Sequence, residues 1–168
     1  MLSASRTVRI LRAGRLFSCA HHHEAAQRSV GGAVVRRQAP NFSADAVMPN
    51  GDFGKISLND LKGEYAVLLW YPLDFTFVCP TEITAFSDRA SEFKKIGCKI
   101  IGVSTDSKFS HLAWTNLPRN KGGLGKIEIP LIGDISKVMS LDYGMVVNDN
   151  HDDMDGLALR GVSFYTTV

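Results

Sequence analysis

Pro72-Leu73-Asp74-Phe75-Thr76-Phe77-Val78-Cys79-Pro80-Thr81-Glu82 joins two segments with different hydrophobic periods. Upstream, Tyr65-Ala66-Val67-Leu68-Leu69-Trp70 is a continuous apolar run, the pattern of a strand buried on both faces. Downstream, Ile83, Phe86, Ala90 and Phe93 recur at helical spacing and predict a helix over 80–95. Pro80 suits a first helical position, where a missing N–H costs nothing. Cys79 therefore stands at a helix start. Unpaired backbone N–H groups and the positive dipole end favour a thiolate there, and the thiolate is the reactive form of cysteine. A lone cysteine is about as often a buried structural residue, so its neighbours decide between the two readings.

Outside this junction, strand and helix patterns alternate. Asn50-Gly51-Asp52 is a turn signal for a small hairpin. Ser57-Leu58-Asn59-Asp60 reads as an N-cap and a short helical turn. Further strands are expected over 99–104, 127–131 and 159–164. Further helices are expected over 109–116, stopped by Pro118, and over 136–143, ended by Gly144. A glycine-rich loop occupies 120–125 and a polar loop 148–155. Such alternation implies an α/β sandwich, a central β-sheet flanked by helices with right-handed crossovers.

The 168 residues fit one domain with a real core. No apolar run approaches the roughly 18 residues that a membrane helix needs, so no membrane span is expected. The net charge of +2 hides an asymmetry. Residues 1–37 hold seven Arg and one acidic residue, a net of +6; the rest holds 12 Lys and Arg against 16 Asp and Glu, a net of −4. No body-wide basic face therefore argues for nucleic acid. Arg6, Arg9, Arg12 and Arg15 lie among Val8, Leu11, Leu16 and Phe17, and the first acid is Glu24. This Arg-rich, acid-poor start fits a mitochondrial transit peptide over 1–35. The expected domain then spans 36–168 and the expected location is the mitochondrial matrix.

The cysteines are Cys19, Cys79 and Cys98, with no Cys-x-x-Cys pair, so a dithiol oxidoreductase or zinc ribbon is not supported. An odd count without a framework suits a reducing compartment. Cys98 opens an apolar strand and reads as a core or edge residue.

The spacing Pro72-x-x-x-Thr76-x-x-Cys79 resembles the active-site signature of peroxiredoxins. The string FTFVCPTEITAFSDRASEFKK is similar to the typical 2-Cys subgroup of that family. The resemblance continues through Asp106 to Trp114, Gly122-Gly123-Leu124-Gly125, Asp142-Tyr143-Gly144 and Gly156 to Gly161, and so runs from about Ala39 to Gly161. It implies a thioredoxin-like fold and a thiol peroxidase acting on hydrogen peroxide and organic hydroperoxides in antioxidant defence and redox signalling. It also implies thioredoxin or a similar thiol reductant as partner, homodimers or decamers, and no metal, haem or flavin cofactor. Phe75, Phe77 and Trp114 match segments near the dimer-assembly face of the family.

A peroxidase site must stabilise a thiolate and the charge spread along a breaking O–O bond. Cys79 supplies the nucleophile and would become a sulfenic acid. Thr76 can bring its hydroxyl beside the sulfur, the Cys79 N–H can bond an oxygen, and Pro72 can wall the pocket against water. By resemblance, Arg160 matches the arginine that lies against the sulfur, and Glu82 the acid that orients that arginine. Taken singly, Thr76 is a strand-former, Pro72 a turn residue and Arg160 a surface charge; their joint spacing carries the functional reading.

Other motifs point elsewhere only weakly. Cys79 with His111 matches no cysteine-hydrolase order, and His111 reads as a helix residue with a satisfied imidazole. Lys121 to Lys126 lacks phosphate-loop spacing. By resemblance, its GGLG is one of two elements that favour over-oxidation in the family. His21-His22-His23 beside Cys19 lies in the expected leader. His151-Asp152-Asp153-Met154-Asp155 matches no EF-hand and reads as an exposed loop. No metal is expected.

The resemblance stops after Gly161, before Val162-Ser163-Phe164-Tyr165-Thr166-Thr167-Val168. Relatives add a strand, a helix and a tail with a resolving cysteine, a place that neither Cys19 nor Cys98 takes. The domain is therefore expected to be C-terminally truncated. Sulfenic acid on Cys79 would need an external thiol or would advance to sulfinic acid, and uncovered sheet surface would drive association. Two alternatives stand beside the 2-Cys enzyme. One is a non-enzymatic truncated isoform that binds full-length subunits or is unstable; the other is a 1-Cys peroxidase using small thiols.

Overall fold

Ser43–Val47 (β1) and Phe53–Ser57 (β2) form the hairpin expected around Asn50-Gly51-Asp52, with Val47 opposite Phe53. Gly51 supplies the left-handed turn residue, at φ 86°. The computed structural model describes residues 33–149 and 153–166. The expected leader over 1–35 thus falls almost wholly outside the described residues, as do Cys19, His21 to His23, His151 and Asp152. Ser57 then opens a 3-10 turn, Leu58–Leu61. Its N–H and its hydroxyl both donate to Asp60 Oδ2, at 2.8 and 2.7 Å.

The remaining elements are Tyr65–Trp70 (β3), Cys79–Asp88 (α1), Ala90–Lys95 (α2), Cys98–Ser104 (β4), Lys108–Asn116 (α3), Leu131–Gly133 (β5), Val138–Asp142 (α4) and Gly161–Thr166 (β6). The strands form one mixed sheet in the order β2-β1-β5-β4-β3-β6. Strands β3, β4 and β5 run parallel, and β6 pairs antiparallel to β3.

The continuous apolar run of β3 is explained by a core on each face of the sheet. Side chains of a strand alternate between faces. Ala66, Leu68 and Trp70 join one cluster with Phe42, Ile101, Ile132 and Tyr143. Val67, Leu69 and Tyr71 join the other with Cys79, Ile83, Trp114 and Leu124.

Four boundaries differ from the sequence expectation. The predicted helix 80–95 is two helices broken at Arg89, and the first begins at Cys79 itself, so Pro80 takes the second position. The strand expected over 127–131 is instead 131–133. Ile127 and Ile129 are buried there without strand pairing, ahead of Pro130, which has no N–H to give a ladder. The helix expected over 136–143 is shorter, 138–142, because Lys137 before it is left-handed at φ 60°. The last strand is shifted by two residues, to 161–166. Among the described residues, no helix is long and apolar enough to cross a membrane.

Candidate active site

The antiparallel register of β3 and β6 builds the site. Trp70, the last residue of β3, pairs with Gly161, the first of β6. The loop leaving β3 and the residue entering β6 must therefore lie side by side. The loop leads to Cys79 and the residue is Arg160. Cys79 is 1% exposed. Arg160 Nη2 donates to its Sγ at 3.5 Å, and Arg160 Nη1 donates to the Glu82 carboxylate. Glu82 is three residues beyond Cys79 on α1, so one helical turn carries the sulfur and the acid to the same guanidinium. The hydrogen bond to Cys79, with the nearby Cys79 and Glu82 charges, holds the Arg160 guanidinium above its usual range, so it is a fixed cation.

The loop 71–78 rests on a buried polar network. Tyr71 donates its hydroxyl to Asp74 Oδ1 at 3.0 Å, and His111 Nδ1 lies 2.8 Å from Asp74 Oδ2. His111 Nε2 contacts the Ile132 carbonyl at 3.1 Å. A carbonyl only accepts, so Nε2 carries a hydrogen and the Nδ1–Asp74 contact holds one further proton between its partners. The Asp74 N–H donates to Asp106 Oδ2 at 3.0 Å, and Ser104 Oγ donates to the same oxygen at 2.9 Å. Burial, then the Asp74 charge, pushes both the Tyr71 hydroxyl and the Asp106 carboxyl up from their usual ranges. Phe75, inside this loop, is left-handed at φ 56°, a conformation that costs a bulky residue about 1 kcal/mol or more. Its ring packs 5.8 Å from that of Trp114, which offsets part of that cost.

The AhpC/TSA family model matches residues 35–166. The chain belongs to this family, the peroxiredoxins. Peroxiredoxin-1 of Gekko japonicus is 54% identical over 134 residues, covering 80% of this chain and 65% of that protein. The chain thus spans about 65% of the length of the curated relatives it matches. The reduced 2-Cys peroxiredoxin of Plasmodium vivax aligns with a TM-score of 0.71 at 39% identity, covering 76% of this chain and 64% of that one. The mitochondrial 2-Cys peroxiredoxin of Plasmodium falciparum aligns with a TM-score of 0.70 at 37% identity, covering 78% of this chain and 75% of that one. The sheet and its flanking helices are the thioredoxin-like fold of peroxiredoxins.

Of the residues singled out from the peroxiredoxin motifs, Cys79, Glu82 and Arg160 come together directly. Pro72 is half-buried at the exit of β3, beside buried Tyr71. Thr76 is also half-buried, and its hydroxyl donates to the Leu73 carbonyl at 3.1 Å rather than to the sulfur. It therefore offers lone pairs, not a proton, to a neighbour. Phe75 and Phe77 are exposed, at 53% and 96%, but Trp114 is fully buried with its indole N–H on the Gly122 carbonyl. Trp114 thus underlies Phe75 and cannot itself face a partner. His111 is the satisfied helix histidine that the sequence suggested.

Cys98 sits at the other end of the parallel strands, opposite Tyr65, and burial pushes its thiol up from the usual range. Asp74, Ser104 and Asp106 were missed from sequence. The available signal was position: they lie at or just past the carboxyl ends of adjacent parallel strands, where α/β sites collect. Two open clefts, of about 440 and 480 Å³, lie elsewhere and include none of Cys79, Glu82 and Arg160. Among the described residues, no group of three His, Cys, Asp or Glu side chains is placed to hold a metal ion.

Proposed function

We propose that the chain is a thiol peroxidase in which Cys79 reduces hydrogen peroxide and organic hydroperoxides. The observation that carries this reading is the guanidinium of Arg160 against a nearly buried sulfur at the start of a helix. The Cys79 thiolate attacks the terminal hydroxyl oxygen of the peroxide. An S–O bond forms as the O–O bond breaks, and both electrons of that bond leave with the distal oxygen. Sulfur is oxidised to sulfenic acid; the distal oxygen is reduced, takes a proton and departs as water or alcohol. Arg160 stabilises the thiolate and the charge growing on the oxygens. The Cys79 N–H, without an intrahelical acceptor, is a second donor. Thr76 Oγ accepts from the peroxide hydroxyl, Pro72 limits water, and Glu82 orients Arg160.

A thiol reductant then attacks the sulfenic sulfur, forming a disulfide and releasing water, and a second thiol reduces that disulfide. Thioredoxin or a similar thiol protein fits this role, and assembly as homodimers or decamers is consistent with exposed Phe75 and Phe77. The arginine-rich start supports a mitochondrial transit peptide over 1–35 and a matrix location, in keeping with the similarity to the mitochondrial protein of Plasmodium falciparum.

The test is rapid mixing of the reduced chain with one equivalent of hydrogen peroxide, followed by Trp fluorescence and intact mass. Cys79 oxidation far faster than that of free cysteine at the same pH is expected. A rate no faster than free cysteine would overturn the proposal. Turnover with thioredoxin compared with a small thiol then assigns the reductant.

A further inference from the structure

The chemistry at Cys79 leaves one buried phenol unused. Tyr71 is 1% exposed, one residue past the end of β3, and lies in the same hydrophobic cluster as Cys79. Burial pushes its hydroxyl up, so the group is a protonated phenol at neutral pH. A buried phenol can still lose an electron, on one condition. The radical cation that forms is a strong acid, so its proton must pass at once to a base within hydrogen-bond reach.

Tyr71 meets that condition. Its hydroxyl donates to Asp74 Oδ1 at 3.0 Å, with His111 Nδ1 at 3.3 Å from the same hydroxyl. The proton shared between Asp74 and His111 sits at Oδ2, which leaves Oδ1 as the acceptor. Tyr143 is as buried but differs in its partner: its hydroxyl donates to the Pro40 carbonyl at 2.8 Å. A carbonyl accepts a hydrogen bond but does not take the proton. Tyr65, 56% exposed, can shed a proton to water, but a radical there collides with other molecules and is short-lived.

The electron also has a way out. The Tyr71 ring lies 6.1 Å from that of Trp114, and Trp114 lies 5.8 Å from Phe75, which is 53% exposed. Both spacings are those of aromatic rings in contact. The Trp114 indole N–H donates to the Gly122 carbonyl at 2.9 Å. The indole therefore has no base for its own proton, and an electron vacancy formed there moves on to Tyr71.

We propose that Tyr71 is a one-electron redox site: oxygen-centred radical oxidants draw an electron from it through Trp114, and it becomes a neutral tyrosyl radical as its proton passes to Asp74. The phenolic O–H bond breaks, the electron reduces the oxidant, and the proton bonds Asp74 Oδ1. The Asp74–His111 pair gains one positive charge, beside Asp106, whose Oδ2 accepts from the Asp74 N–H. A one-electron reductant such as ascorbate returns the electron, and the proton goes back to the phenol. This chemistry does not pass through sulfur, so it stands whether or not Cys79 is a peroxidase.

The test is flash oxidation of the reduced full chain with photogenerated tris(bipyridine)ruthenium(III), followed by rapid freezing and electron paramagnetic resonance. A long-lived tyrosyl signal is expected in the unaltered chain and in Tyr143→Phe and Tyr65→Phe. It is expected to be lost in Tyr71→Phe, which keeps the ring and its packing. Asp74→Asn keeps the phenol but removes the base, and should lose the signal too. In the unaltered chain, heavy water should slow its formation, since a proton moves with the electron; this reading does not depend on how any variant folds. Absence of a tyrosyl signal in the unaltered chain overturns the proposal. So does a signal that survives Tyr71→Phe or Asp74→Asn, one lost in Tyr143→Phe, or a rate unchanged in heavy water. Cys79→Ser should retain the signal; its loss there would route the radical through sulfur and overturn the proposal. Slow oxidation of Cys79 by hydrogen peroxide would end the peroxidase reading and leave these signals as they are.

Discussion

Cys79 and Cys98 lie in the same hydrophobic cluster, at opposite ends of the parallel strands. Both are buried, 1% and 9% exposed. Around Cys79 the sequence puts a helix start, a guanidinium and a carboxylate. Around Cys98 it puts only apolar side chains and the Lys99 carbonyl, 3.8 Å from the sulfur. Burial alone disfavours a thiolate, and at Cys98 it is the cause that pushes the thiol up. Burial becomes useful at Cys79 because a fixed positive charge, carried by the partly exposed Arg160, lies against the sulfur. The two ends also differ beneath the surface: the Cys79 loop stands on Tyr71, Asp74, Asp106 and His111, whereas Cys98 is packed in the apolar cluster, with the polar contacts of the β4 start made by its neighbour Lys99 to the Asp60 carbonyl and Glu64.

The largest expected break in this contrast is chemical. Cys79→Ser should abolish peroxide consumption, while Cys98→Ser should retain it; a colorimetric peroxide assay on both variants separates them. Next, Arg160→Met removes the cation and leaves the burial, which should make Cys79 resemble Cys98. Its oxidation rate in stopped flow should fall about a hundred-fold. Retention of the full rate would show that the helix start suffices.

His111→Ala probes the floor of the loop. It leaves Asp74, 4% exposed, without its imidazole partner and opens a void. A loss of about 2–3 kcal/mol in chemical denaturation is expected, together with slower oxidation of Cys79. The smallest effect concerns pH. The Cys98 thiol is raised in the folded chain, so its contribution to stability is fully present below the unfolded cysteine value. It is lost as pH rises through the higher folded value. Alkylation of Cys98 should therefore lag that of free cysteine as pH rises, and Cys98→Ala should lessen the alkaline loss of stability.

Much of this arrangement was readable from residues alone. The run 65–70 has the pattern of a strand buried on both faces, and its neighbour pattern put Cys79 at a helix start. The family motif then named Arg160 and Glu82, which lie 81 and 78 residues from their partners Cys79 and Glu82's own arginine respectively. What stayed hidden depends on long-range geometry. Asp74 and Asp106 become a network only when β3 and β4 lie side by side. The break at Arg89 interrupts an apolar period that runs through it unchanged, so periodicity gives no sign of it. Ile127 and Ile129 look like a strand because burial, not pairing, selects their side chains. The ion pair of Arg119 with Asp88, two hydrogen bonds at 2.9 and 2.7 Å, joins two charged surface residues that composition marks only as solvated.

The most direct measurement is a competition inside one molecule. The reduced chain is mixed with less than one equivalent of hydrogen peroxide, quenched early, and the oxidation of Cys79 and Cys98 is counted by peptide mass spectrometry. If the guanidinium and helix start make the reactive sulfur, oxidation should fall almost wholly on Cys79. Equal oxidation of the two, or oxidation of Cys98 first, would contradict the reading of Arg160 and Cys79 as a working pair.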